Sequence, residues 1–533
     1  MDYKFFTQKK NATPQTKPIP GRETEMRQGR SGGFMFDAGI WQMLRRCLLI
    51  GTAKSTFYAG KQELTEDFVA VVQEAIAQNP TKVAQEIVYA SDGRAINNSA
   101  PILALVLLSM GETPEAKKAF QEIFPQVVRT ASHFYEWLSY TKSMRGFGKV
   151  IREVGKTWLS REDVKGLAYQ LLKYQQRQGF SHRDALRLFH VKPPTENHRQ
   201  LFEWVVKGWE ELPKEIPSQA LAQIWWYEWL KRNPEKTGHA IAQGHLTHEM
   251  ATVGKMDQQA WQLLFNEMPI GAMLRNLGSL TELGVLRGDE RQNLNRIQNV
   301  LNNKEHLRKG RIHPIDVLKA LKTYQSGGKL GRSQKTWTPV SRIVDILETA
   351  VELSFDVVEP TGKVFMHAVD ISGSMSWGVV NSLGLSCCEI ATTMALVTAK
   401  AEKNYMIRGF ATDFRDLDIT KKDNFSSALK KASNQNFGGT DASVAYDWMI
   451  KNRFKADVIC FWTDSESWAG YKHPAQALAE YRKKVNPNTK AVYITLAPYQ
   501  ITLVDPKDPL SWDMGGFDPS MPRIIQMLAT DEL

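Results

Sequence analysis

The sequence predicts a protein of mixed class, a long α-helical domain followed by an α/β domain with a doubly wound parallel sheet. Three observations predict it. From residue 36 to about residue 350, apolar side chains recur at three- and four-residue spacings without strand-like runs. After residue 360, short β-branched and aromatic runs alternate with helical stretches, as parallel strands joined by crossover helices require. The charge divides at the same place. Residues 361–533 hold 19 Lys and Arg against 19 Asp and Glu, so the whole net charge of +11 belongs to residues 1–360.

A chain of 533 residues is too long for one core. Residues 1–35, rich in Lys, Arg, Gly, Pro and Thr, read as an extended or partly disordered arm. Residues 36–355 form the helical domain, with apolar stripes such as Phe68-Val69-Val72-Ala75-Ile76. Punctuation such as Gln78-Asn79-Pro80 and Gly111-Glu112-Thr113-Pro114 separates its helices. Stacked helix pairs suit this length better than a bundle, because a single core stops growing near it. Residues 360–533 form the α/β domain. Its strands are expected at Val364–Val369, Tyr405–Phe410, Val458–Trp462 and Ala491–Leu496, with a helix over Asn381–Lys403.

No apolar stretch reaches the roughly 18 residues that cross a bilayer. The opening MDYKFFTQKKNATPQ has neither the apolar core nor the cleavage pattern of a secretory signal. Cys47, Cys387, Cys388 and Cys460 show no CxxC spacing and read as reduced thiols, so a cytoplasmic location is expected.

The most specific motif is Asp370-Ile371-Ser372-Gly373-Ser374 at the end of a strand-like run. It is answered by Gly438-Gly439-Thr440-Asp441 and by Asp464 at the end of another. Ligands in such sheets bind beyond the carboxyl ends of the strands. Asp370, Ser372, Ser374, Thr440 and Asp464 offer only oxygen donors, which suits Mg2+ or another hard divalent cation. Helix capping would account for any one hydroxyl, but not for all three with both aspartates. The DxSxS…T…D pattern resembles the metal-ion-dependent adhesion site of von Willebrand factor A domains. Two carboxylates are few for a two-metal phosphohydrolase, so binding rather than catalysis is expected.

The cationic excess suggests a polyanionic partner. Residues 149–199 carry eleven Lys and Arg, among them Lys173, Arg177, Arg183 and Arg187, with His182, His190, Tyr174 and Phe180 interspersed. Residues 301–342 carry ten against Glu305 and Asp316. A solvated helix face explains any one of these residues, whereas phosphate neutralisation needs several together. The two histidines lack paired cysteines, so zinc is not expected, and they read as hydrogen-bonding or stacking groups beside the basic face.

Motifs along nearly the whole chain resemble the Ro ribonucleoprotein autoantigen family, and a bacterial member in particular. They include Thr13-Pro14-Gln15, Pro18-Ile19-Pro20-Gly21-Arg22, Ser31-Gly32-Gly33-Phe34 and Tyr58-Ala59-Gly60-Lys61-Gln62-Glu63-Leu64-Thr65. Further on come Ser181 through His190, Glu267-Met268-Pro269, Arg311-Ile312-His313-Pro314 and Gly516-Phe517-Asp518. The resemblance implies a monomeric ring of HEAT-like repeats, the TROVE module, closed by a von Willebrand A domain. It implies Y RNA on an outer basic surface, with Lys173, Arg177 and His190 at the contacting positions. It also implies that ends of misfolded or precursor RNA, including rRNA, enter the ring. A 3′→5′ exoribonuclease tethered by Y RNA, and roles in RNA quality control and stress survival, belong to the same expectation. The competing readings are a metal-dependent interaction module without RNA and a Mg2+-dependent nuclease.

Overall fold

The computed structural model describes residues 12–51, 61–95, 97–328, 336–355, 360–376, 386–433, 438–464, 466–496, 500–516 and 520–532. Helices from Ile40–Ile50 to Ser341–Leu353 make up most of the first part. The punctuation seen in the sequence becomes caps. The side chains of Asn79, Thr113 and Thr130 accept hydrogen bonds from the N–H groups of Lys82, Ala116 and His133, and Pro80 and Pro114 begin their helices. Most helices pack on a neighbour or on the next one along the chain, as Pro80–Ser91 does on both Ser99–Met110 and Pro114–Val127.

The early and late helices of this array meet. Arg311 Nε donates to Asp92 Oδ1 at 3.0 Å, and His313 Nε2 donates to the Arg94 carbonyl at 3.1 Å, across 219 positions of sequence. The backbone N–H of Ile315 donates to His313 Nδ1, which leaves the ring proton on Nε2. Such contacts are what a closed ring requires.

The second part holds a six-stranded sheet in the order β11–β9–β8–β5–β6–β7. Its strands are β5 (Val364–Asp370), β6 (Asn404–Phe410), β7 (Phe414–Asp416), β8 (Val458–Thr463), β9 (Lys490–Thr495) and β11 (Ser511–Gly515). All pairs are parallel except β6 with β7, an antiparallel edge. Every residue of β8 and β9 is buried, as expected for strands covered on both faces. The four expected strands are present. The expected helix is observed as Cys387–Ala401, and residues 381–385 lie outside the described residues. All four cysteines are buried and none is in a disulfide.

One expectation needs correction. The helical domain is not free of strands, for β3 (Gln176–Arg177) and β4 (Phe180–Ser181) form a short hairpin inside it. Two-residue strands are too short for any alternation to register, but Gln178 and Gly179 both adopt positive φ, the geometry of a tight hairpin turn. The described part of the arm, from residue 12, packs on the α/β domain. Strands β1 (Met26–Gln28) and β2 (Phe34–Asp37) pair with each other, and β2 pairs with β10 (Ile501–Thr502) of the α/β domain. Met26, Met35 and Phe36 are buried there. Their apolar partners lie far away in sequence, so no local pattern reveals them.

The α/β domain touches both the beginning and the end of the helical array. Arg46, in Ile40–Ile50, pairs with Asp513 of β11, and both side chains are only 1% exposed. Lys322 pairs with Glu389 at 2.6 Å, and Gln325 Nε2 donates to Ser426 Oγ at 2.7 Å.

Candidate metal centre and nucleic-acid interface

Strand pairing brings the two aspartates together. Val369 of β5 lies opposite Trp462 of β8, so Asp370 and Asp464 leave adjacent strands at the same sheet edge. Ser372 N–H donates to Asp370 Oδ1 at 2.8 Å, and Thr463 Oγ1 donates to Asp370 Oδ2 at 2.8 Å. The hydroxyls of Ser372 and Ser374 are 3.1 Å apart. Thr440 is anchored by its carbonyl, which accepts the N–H groups of Trp468 and Ala469 at 3.0 Å. Close approach explains the two glycines before it. A Cβ on Gly439 would lie 2.9 Å from Ala469 Cβ, and one on Gly438 would lie 2.7 Å from Thr412 Oγ1.

All five predicted residues are buried. Burial raises both carboxyls above the ordinary carboxylate range. Repulsion from Asp370 raises Asp464 further, while hydrogen bonds from Ser372 and Thr463 to Asp370, and from Ser374 to Asp464, act in the opposite direction. Among the described residues neither aspartate makes an ion pair, and the Thr440 hydroxyl has no hydrogen-bond partner. Two buried carboxyls that disfavour ionising together, with an orphaned hydroxyl, are the donor set a hard cation would satisfy. No group of three His, Cys, Asp or Glu suited to a metal occurs among the described residues. Of the five residues read from the sequence, Ser372 and Ser374 lie hydrogen-bonded beside Asp370, Asp464 follows the adjacent strand, and Thr440 is tied by its carbonyl to the loop after Asp464.

The sequence reading missed Thr463 and a strap from the arm. The Glu466 carboxylate, two residues after Asp464, accepts from Ser31 Oγ at 2.6 Å and from the N–H groups of Arg30 and Ser31 at 3.3 Å. Gly33 lies so close to this loop that a Cβ there would sit 2.1 Å from the Ser467 carbonyl oxygen. The Ser31-Gly32-Gly33 motif was the available signal. Trp468 and Tyr471 rim the same loop and are 38% and 72% exposed.

The basic residues meet different fates. Arg177 lies on the β3–β4 hairpin, and Arg183 and Arg187 lie one helical turn apart on His182–Phe189, all exposed. Ser181 and Asp184 form a capping box that joins hairpin to helix. The helix ends at His190, exposed and in the left-handed region at φ 49°. Lys173 does not join this exposed set. Its side chain is 14% exposed, 3.7 Å from Glu249, and its Nζ donates to Tyr169 Oη at 3.2 Å.

His182 departs further from expectation. It is buried, tilted against Tyr135 with ring centroids 4.7 Å apart, and pushed down to about 3 by burial, so it is neutral and faces inward. Elsewhere in the first basic stretch, Arg199 pairs with Glu196 and Glu203, and Arg161 lies over Trp158. In the second stretch Lys322 faces Glu389, and Lys329, Arg332 and Lys335 lie outside the described residues.

Comparison with known proteins covers both parts. The family model of the TROVE domain matches residues 27–223 and 247–326, and that of the Ro60 vWA domain matches residues 364–529. The chain is 31% identical over 527 residues to the RNA-binding protein RO60 of Deinococcus radiodurans, covering 98% of each. It is 28% identical over 600 residues to the RNA-binding protein RO60 of Caenorhabditis elegans, covering 97% of this chain and 92% of the relative. The crystal structure of the Deinococcus radiodurans RO (RSR) protein superposes with a TM-score of 0.68 at 28% identity, covering 93% of this chain and all of that one. No helix among the described residues is long and apolar enough to cross a membrane.

Proposed function

The chain belongs to the Ro60 family, and from that premise we propose that it is a non-catalytic RNA-binding protein whose helical array holds structured small RNA. The observation that carries this reading is the exposed cationic set Arg177, Arg183, Arg187 and His190, presented by a hairpin and the helix it caps. Guanidinium groups at helical spacing suit successive phosphates, and half-buried Tyr174 and Phe180 beside them offer aromatic surface to unpaired bases. Lys173 acts from a fixed position beneath this surface, held by Tyr169 and Glu249.

The proposed ligand class is Y RNA, with the ends of misfolded or precursor RNA, rRNA included, as a second class. A 3′→5′ exoribonuclease tethered through the Y RNA follows from the family resemblance, as do a role in stress survival and a cytoplasmic, monomeric state. The test is filter binding of a structured small RNA across a salt series. The triple substitution of Arg177, Arg183 and Arg187 to Ala should weaken binding at least about tenfold and flatten the salt slope by up to about three. An unchanged affinity and slope would remove the hairpin from the interface.

The second part of the proposal concerns the α/β domain. Asp370, Ser372, Ser374, Thr440 and Asp464 would hold Mg2+, whose chemistry there would be to accept an acidic group from a partner. The chain's own contribution is to keep water from the two carboxylates and to hold the hydroxyls inward. The exposed Trp468 and Tyr471 favour a protein partner at this face. Calorimetric titration with MgCl2 should show one site that Asp370→Asn removes. Retention of the site in that variant would refute it.

A further inference from the structure

Between the helices Pro114–Val127 and Lys149–Leu159 lies a groove with a volume of about 500 Å3. Its floor is apolar, formed by the buried side chains of Phe124, Val128, Val154 and Trp158. Gln121 and Pro125 stand exposed on its rim. Arg161, just beyond the second helix, lines it as well.

Two polar groups in this groove lack the partners their chemistry calls for. The first is the Arg161 guanidinium. It makes no hydrogen bond and no ion pair among the described residues, and its Nε and Nη2 are buried. It lies over the Trp158 ring, 4.1 Å from the centroid, and that ring is itself stacked on Phe134 at 4.2 Å. The other charges of the groove are already engaged. Glu153, the one acid among its described lining residues, pairs with Lys156 at 3.1 Å, and Arg129 donates to the hydroxyl and carbonyl of Ser91 at 2.8 Å. Burial lowers the Arg161 guanidinium from its ordinary value, and the Asp163 charge offsets this only in part. A buried guanidinium edge without an acceptor is costly. The second group is the Gln121 carbonyl. Pro125 lies inside the helix and has no N–H, so the carbonyl four residues before it loses its helical donor.

We propose that this groove binds the carboxyl terminus of a partner protein that ends in a large apolar residue. The terminal carboxylate pairs with the Arg161 guanidinium, whose planar fork matches two carboxylate oxygens. The amide N–H of the last residue donates to the Gln121 carbonyl, and the apolar side chain rests on the floor of Phe124, Val128 and Val154. The volume falls within the roughly 300–1,000 Å3 of sites that enclose a small ligand. The two unpaired groups select the class. A fatty acid offers the carboxylate and the apolar body but no N–H for Gln121. A phosphodiester offers the charge but nothing for the apolar floor.

The test uses the full chain and a fluorescein-labelled peptide, Gly-Ser-Ala-Ala-Leu with a free carboxyl end, read by fluorescence anisotropy. Saturable binding is expected. The same peptide with an amidated end should bind at least about tenfold more weakly, because the charged hydrogen bonds to Arg161 are lost. Arg161→Met should weaken the free-acid peptide at least about tenfold and erase its advantage over the amide. That variant should melt as the wild type does, since the guanidinium holds no partner in the fold. Arg161→Lys keeps the charge without the fork and should recover part of the affinity. Pro125→Ala supplies the missing N–H to Gln121 and should weaken the peptide about two- to tenfold, the share of one neutral hydrogen bond, while leaving octanoate binding unchanged. No saturable binding, equal affinity for acid and amide, or full affinity in Arg161→Met would overturn the assignment. So would octanoate that displaces the labelled peptide more effectively than unlabelled peptide does, which names a fatty acid. Displacement by a structured small RNA would also overturn it, by placing Arg161 in the nucleic-acid interface.

Discussion

The two halves of this protein solve opposite electrostatic problems. The α/β domain is neutral overall and buries two carboxylates side by side, where a single cation would resolve their repulsion. The helical array is cationic and keeps much of its charge exposed on a hairpin, a helix and a closing seam. A buried site is all-or-none, because each donor is fixed by backbone and removing one leaves the others uncompensated. An exposed site is graded, because each cation contributes a screened and roughly equal share.

The junction between the halves gives the largest expected effect. Arg46→Ala leaves Asp513 buried without its partner and should cost about 3–5 kcal/mol, read by urea denaturation. A loss below about 1 kcal/mol would mean that the halves are held together elsewhere. Gly33→Val comes next. Its side chain would collide with the Ser467 carbonyl and should lift the strap off the loop after Asp464, seen as faster hydrogen exchange over residues 26–37. Unchanged exchange would uncouple arm from loop.

Each half also hides a histidine pushed down to about 3 by burial, His182 in the array and His367 in the sheet. A histidine with a depressed folded value binds fewer protons folded than unfolded, so stability falls as pH drops below about 6.5 towards 3. Each should cost roughly 2 kcal/mol at pH 5 relative to pH 7. His182→Phe should remove its share of that pH dependence, measured as the difference in urea midpoint between the two pH values. An unaltered difference would show that His182 is protonated in place. The smallest effect expected is that of Lys173→Ala on RNA affinity at low salt. It should fall below that of Arg177→Ala, because Glu249 already offsets the lysine charge. The reverse order, by filter binding, would mean that Lys173 leaves Glu249 to meet RNA.

The candidate metal site was legible because its residues sit at fixed offsets from strand ends: Ser372 and Ser374 lie hydrogen-bonded beside Asp370, Asp464 leaves the adjacent strand, and Thr440 is buried. The exposed cationic set was legible only in part. Sequence spacing placed Arg183 and Arg187 on one face, but it could not show that Lys173 turns towards Glu249 or that His182 turns inward against Tyr135. Charge runs report where cations lie along the chain, and burial is decided by partners the run does not contain.

The amino-acid order by itself determined the helical periodicity, the capping residues, the parallel strands and the oxygen donors, since each depends on neighbours within a few residues. Tertiary structure alone decided that the arm straps the loop after Asp464, that Arg46 meets Asp513, and that Arg94 and Arg311 share one cavity. Those pairings join positions hundreds of residues apart, and only the closing of the chain brings them into range of the short-range forces that hold them.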